Sequence, residues 1–81
     1  MGKLIAIVDD DPVQRRLLDH AVTQMGHRTI VLEGGAEALE VLQADGGVDL
    51  VVLDVMMPQI DGLTVLSTLR EAGKTVPIIV Q

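Results

Sequence analysis

Apolar positions along the chain fall into two alternating kinds of run. Short blocks of continuous Val, Leu, Ile and Ala are separated by longer stretches in which apolar residues recur every three or four positions. Leu4-Ile5-Ala6-Ile7-Val8 is a block of the first kind and predicts a strand buried on both faces, as in a parallel sheet with helices on either side. Asp11-Pro12-Val13-Gln14 predicts a helix start. Asp11 is placed as N-cap, Pro12 stands at the first helical position where a missing N–H costs nothing, and Gln14 is spaced to reach back as in a capping box. Leu17, Leu18, Ala21, Val22 and Met25 continue one apolar face, and Gly26 is expected to end it as a C-cap glycine. Thr29 to Leu32 predicts a second strand. Gly34-Gly35 then breaks into a helix whose inner side is Ala38, Leu39, Val41 and Leu42, and Asp45-Gly46-Gly47 closes that unit. Leu50 to Leu53 is as apolar as the first strand. Met56-Met57-Pro58 and Asp61-Gly62 mark a loop before a third helix, with Leu63, Leu66 and Leu69 inward and Gly73 beyond its end. Val76 to Val80 predicts a fourth strand, with Pro77 tolerated near its start because it has no N–H to donate.

Strands alternating with helices across short joints predict an α/β fold, a doubly wound parallel sheet. The 81 residues make one domain, and a domain of this size buries only about 60–70% of the surface its unfolded chain exposes. No internal repeat or linker interrupts it. The sequence finishes on an apolar strand, so Val76, Ile78, Ile79 and Val80 are expected on an open edge that invites pairing with another chain. Self-association through that strand, or a swap of elements, is therefore an expected partner mode.

Composition removes several function classes. With no Phe, Tyr or Trp the core is aliphatic and there is no aromatic platform for stacking nucleic-acid bases. Twelve acids against six bases give a net charge of −6, which also argues against direct nucleic-acid binding. The absence of cysteine excludes disulfides and thiolate ligands and fits a reducing compartment. The apolar run after Lys3 is too short for a signal-peptide core or a membrane span, and the Met1-Gly2-Lys3-Leu4-Ile5-Ala6 start lacks the Ser or Thr of a myristoylation signal. A cytoplasmic protein with no membrane partner is expected.

Two of the apolar strands end in carboxylates, the first before Asp9-Asp10-Asp11 and the third before Asp54. Side by side, they bring four acids to the carboxyl end of the sheet, where doubly wound folds hold their crevice. Two carboxylates about 4 Å apart repel by about 1 kcal/mol in water and by several times that when partly buried. A divalent cation is the usual remedy. Asp11 is read as the helix cap and not as a ligand, Asp61 as a turn residue beside Gly62, and Met56 and Met57 as loop packing. His20 and His27 have no partner at metal-ligand spacing and are read as helix-flank and loop residues. Arg15 and Arg16 are expected on the solvated side of the first helix.

Taken together these residues resemble the receiver domain of two-component response regulators. The resemblance rests on Val8-Asp9-Asp10, on Leu53-Asp54-Val55-Met56-Met57-Pro58 followed by Asp61-Gly62, and on Val76-Pro77-Ile78-Ile79-Val80. It implies a flavodoxin-like sheet of order 2-1-3-4, lacking the family's fifth strand and last two helices, with no effector domain in residues 1–81. It further implies Asp54 as phosphoacceptor, and a Mg²⁺ site formed by Asp9, Asp10, Asp54 and the backbone carbonyl of Met56, with Pro58 and Gly62 shaping the loop. The implied phosphoryl donor is a sensor histidine kinase or a phosphotransfer protein, and the implied output is transcriptional control, by a phosphoacceptor rather than a turnover enzyme. The Val-Pro-Ile-Ile-Val-Gln ending is similar to receivers that precede sigma-54-dependent activator domains. The family's Thr or Ser after the fourth strand and its Lys after the fifth are absent from this sequence. Lys74 is no substitute, because it precedes the fourth strand at the opposite end of the sheet. Mg²⁺ binding is expected to survive, and phosphorylation and switching to be impaired.

Two other classes stand beside this reading. Asp9-x-Asp11-x-Val13 after an apolar strand also resembles the haloacid-dehalogenase-type phosphatases, with Asp9 as nucleophile and Asp11 as acid/base, although the third strand then ends in Asp54 where that family needs Ser or Thr. A non-catalytic dimerisation or interaction module, pairing through the fourth strand, is the other.

Overall fold

The computed structural model describes residues 2–44, 47–54 and 62–80. In chain order its elements are β1 (Leu4–Val8), α1 (Pro12–Gln24), β2 (Arg28–Leu32), α2 (Gly35–Gln43), β3 (Leu50–Leu53), α3 (Gly62–Glu71) and β4 (Ile78–Val80). The strands form a single parallel sheet in the order β2-β1-β3-β4, the doubly wound arrangement expected from the alternating pattern. β1 pairs with β2 and β3 on its two sides, which is why all five of its residues can be apolar.

Alternation along the strands assigns the two faces. Ala6, Val8, Val51 and Leu53 share one buried cluster with Leu32, with Ala38 and Leu42 of α2 and with Val65 and Leu69 of α3. Ile5 and Ile7 are buried on the opposite face, the side covered by α1, which packs on β1 and β2.

The start of α1 follows the sequence expectation for Asp11 as N-cap and Pro12 at the first helical position, while the Asp11 N–H donates to Asp9 Oδ1 at 2.9 Å. Asp11 Oδ1 accepts from the Val13 N–H at 2.9 Å and the Gln14 N–H at 3.5 Å, satisfying two of the donors a helix leaves open at its first turn. Its end does too, since Gly26 stands at φ +88° just past the Met25 cap, in the left-handed region that a Cβ disfavours.

The apolar face of α1 is a correction. Leu17 is 62% exposed and Met25 also projects into solvent, while only Leu18 and Val22 are half-buried. At about 100° per residue, Arg15, Leu18, Asp19 and Val22 share the arc toward the sheet, and Leu17 falls on the far flank with Val13. Likewise in α3, Leu63 is 62% exposed, whereas Val65 and Leu69, four apart, face the sheet. Leu63 precedes Val65 by two positions and so points away.

β4 is shorter than the Val76–Val80 expected. It begins at Ile78 because Pro77 has no N–H for the ladder, although the Pro77 carbonyl still accepts from the Val51 N–H at 2.9 Å. Ile79 and Val80 are exposed on this edge strand. Among the described residues no helix is long and apolar enough to cross a membrane.

Candidate acidic metal and phosphoacceptor site

Register decides which acids meet. Val8 lies opposite Leu53 across the β1–β3 pair and opposite Leu32 across β1–β2. The ladders continue one residue further, with the Asp54 N–H donating to the Val8 carbonyl at 2.9 Å and the Asp9 N–H to the Leu32 carbonyl at 3.1 Å. Asp9 and Asp54 therefore leave the sheet as neighbours, and Asp10 follows on the turn into α1. Carboxylate oxygens of Asp9, Asp10 and Asp54 all lie within 4.8 Å of one another. Among the described residues no other group of three His, Asp or Glu side chains does so.

The three acids differ in exposure. Asp9 is 2% exposed, Asp54 half-buried and Asp10 exposed. Burial pushes the Asp9 carboxyl above its ordinary value of 3.8, and the Asp54 charge, a hydrogen bond with Asp54 and the Asp10 charge push it the same way. The Asp11 N–H, which donates to Asp9 Oδ1 at 2.9 Å, works against them. A carboxyl pushed up by burial and by two neighbouring carboxylates marks a concentration of negative charge, and three hard oxygen donors, one of them on an exposed residue, suit an ion that keeps some of its waters, as Mg²⁺ does.

Asp11 does not join them. Its Oδ1 is engaged in the α1 cap, the role the sequence reading gave it in preference to the acid/base role of the phosphatase alternative. Met56 and Pro58 lie outside the described residues, and Gly62 opens α3. The Arg70 guanidinium donates to the Lys74 carbonyl at 2.8 Å in the loop before β4, at the end of the sheet away from the acids. His20 is exposed, and His27 Nδ1 accepts the Lys3 N–H at 3.1 Å.

Arg15 departs from expectation. Its side chain is only 15% exposed. Nη1 donates to the Asp9 backbone carbonyl at 3.0 Å, and Nη2 lies 3.6 Å from Glu33 Oε1 at the end of β2. The signal was in the spacing, since Arg15 precedes the sheet-facing Leu18 and Val22 by three and seven positions.

The model of the response regulator receiver domain matches residues 5–81. Response regulator MprA of Mycobacterium ulcerans is 41% identical over 80 residues, covering 99% of this chain and 34% of that protein. The Regulator of RpoS of Escherichia coli K12 is 39% identical over 82 residues, covering 99% of this chain and 23% of that protein. The chain thus spans about a third or less of the length of these curated relatives. Among solved structures, the response regulator TrrA of Thermotoga maritima, crystallised in complex with Mg²⁺ and BeF, superposes with a TM-score of 0.90 at 40% identity over 96% of this chain and 67% of its own. An acidic triad at the carboxyl end of a 2-1-3-4 parallel sheet, in a sequence matched almost end to end, makes this chain a member of the response regulator receiver domain family.

Proposed function

We propose that the chain is a phosphoacceptor in two-component signalling, with Asp54 as the nucleophile and Asp9, Asp10 and Asp54 as the side-chain ligands of Mg²⁺. The observation that carries this reading is the mutual approach of the three carboxylates within 4.8 Å at the end of β1 and β3. Asp54 is half-buried, open enough for one carboxylate oxygen to attack phosphorus. An O–P bond to Asp54 forms as the P–N bond of a donor phosphohistidine breaks, which leaves the donor imidazole neutral once it takes a proton from solvent. Asp9 and Asp10 supply the negative charge that holds the cation beside Asp54, with Asp9 fixed in orientation by the Asp11 N–H. When bound, Mg²⁺ offsets the charge of the transferred phosphoryl oxygens. TrrA, bound to Mg²⁺ and BeF, supports the ligand type.

The donor is a sensor histidine kinase or a phosphotransfer protein, and the output is transcriptional control through the longer regulator to which such a domain belongs. Intact mass after incubation with Mg²⁺ and a small-molecule phosphodonor tests the chemistry. The parent should gain one phosphoryl group and Asp54→Asn none. Equal gain by both would remove Asp54 from the reading, and loss in Asp11→Asn alone would favour the phosphatase.

A second reading, association of chains through β4, is favoured by Ile79 and Val80 standing exposed on the sheet edge. Sedimentation velocity over a range of concentrations tests it, and a single monomeric boundary throughout would count against it.

A further inference from the structure

We infer that Arg15 is a positioning residue for the acidic cluster: its guanidinium fixes the Asp9–Asp10 peptide, and Glu33 offsets its charge. The inference rests on the Mg²⁺ reading above and adds to it the group that holds the ligands in place. The carbonyl that Arg15 grips at 3.0 Å belongs to the peptide unit whose nitrogen is that of Asp10. On the other side of Asp9, the N–H is held by the Leu32 carbonyl at 3.1 Å. Asp9 Oδ1 is held in turn by the Asp11 N–H at 2.9 Å. The turn that carries two of the three proposed ligands is therefore tied at its backbone on both sides of Asp9 and at one side chain, and Arg15 is the tie that comes from α1.

An arginine suits this place for physical reasons. A charged donor makes a stronger bond to a carbonyl than a neutral one, and a long apolar stem lets the Arg15 side chain be only 15% exposed while its head reaches the carbonyl. The guanidinium is directed at a carbonyl, where it does not occupy a carboxylate oxygen needed by a cation. A positive charge beside a cation site still opposes binding. Glu33, 3.6 Å from Nη2, reduces that opposition. Its side chain is 75% exposed, so the pair contributes little to stability and its consequence is local charge.

Positioning and simple electrostatics predict opposite signs, which makes the inference decidable. Without the guanidinium's charge, Coulomb's law alone gives tighter Mg²⁺ binding. Without its hold on the peptide, binding weakens. Mg²⁺ alone is titrated into the 81-residue chain and followed by amide chemical shifts, since there is no tryptophan to report. Each variant is measured well below its thermal midpoint, where a merely structural role would leave the dissociation constant unchanged. Arg15→Met should weaken Mg²⁺ about tenfold, the lower end for groups that orient metal ligands. Arg15→Lys, which keeps a donor, should recover part of the loss. If Arg15→Met loses its fold, Arg15→Gln, too short to reach the Asp9 carbonyl, carries the same expectation. Unchanged or tighter binding in Arg15→Met, or no recovery in Arg15→Lys, overturns the inference while leaving the Mg²⁺ reading intact. No saturable binding by the parent overturns both.

Discussion

Replacing Asp9 by asparagine in metal-free buffer is expected to stabilise the protein at neutral pH, although it alters a buried residue at the heart of the site. Asparagine has nearly the same shape, and its carbonyl oxygen can keep the 2.9 Å bond from the Asp11 N–H. What disappears is a charge that is 2% exposed and faces two other carboxylates. At the 4.8 Å that bounds their separation, each repulsion is about 0.9 kcal/mol in water and about 3.5 kcal/mol at an effective dielectric of 20. Asp10 is exposed and Asp54 half-buried, so the water-like end suits the first and an intermediate figure the second. With about 0.9 kcal/mol for the first and about 2 kcal/mol for the second, the sum is about 3 kcal/mol, and a midpoint rise of about 15 °C follows for a domain of this size.

The pH dependence has a definite sign. The folded state raises the Asp9 pKa above 3.8, so folded protein holds this proton more tightly than the unfolded chain does. Below 3.8 both states are protonated and the parent is not penalised. As pH rises through the raised folded value the parent loses stability, and above it the full gap to Asp9→Asn is open. Thermal melts followed by far-UV circular dichroism, in chelator from about pH 3.5 to 7.5, measure the gap. Added Mg²⁺ at ten times its dissociation constant should stabilise the parent by about 1.4 kcal/mol and the variant by less. A variant less stable than the parent at neutral pH without metal, or a difference independent of pH, would refute the reasoning.

Further predictions separate packing from chemistry. Leu69→Ala, at a fully buried position of the core cluster, should cost about 2–5 kcal/mol in urea unfolding. Leu17→Ala, on the exposed flank of α1, should stay within about 0.5 kcal/mol, and a cost equal to that of Leu69→Ala would mean that α1 is rotated from the orientation described. Asp11→Ala removes the bonds to Val13 and Gln14 and should cost about 1 kcal/mol, read by thermal melt, while phosphoryl capture by mass remains.

The β1 to α1 turn shows how the site draws on both levels. Its acids are consecutive in sequence, but the partner that completes the cluster arrives 44 positions later, carried to the same end of the sheet by β3. In the described structure the cluster runs from buried Asp9 through half-buried Asp54 to exposed Asp10 at the strand ends, the location where a parallel fold gathers the turns of several βα units.

Much of this was legible in the chain. Continuous apolar blocks fixed β1 and β3 to the residue, because strands buried on both faces admit no polar position. Asp11-Pro12 and Gly26 marked the ends of α1, since helix termini are decided by local hydrogen bonding and backbone conformation. Asp9, Asp10 and Asp54 could be named as candidates because each follows such a strand. Rotation was not legible. Leu17 and Leu63 read as inward because a helix's apolar arc is broad, and which part of it meets the sheet depends on the docking angle. Arg15 read as solvated although its spacing put it on the side of Leu18 and Val22; what the spacing could not give is its partners, since only the approach of α1 to β1 and β2 puts its guanidinium between the Asp9 carbonyl and Glu33. Local sequence thus determined the elements, their caps and the candidate acids, whereas the tertiary structure decided strand register, helix orientation and the 4.8 Å grouping, because those follow from contacts between residues distant along the chain.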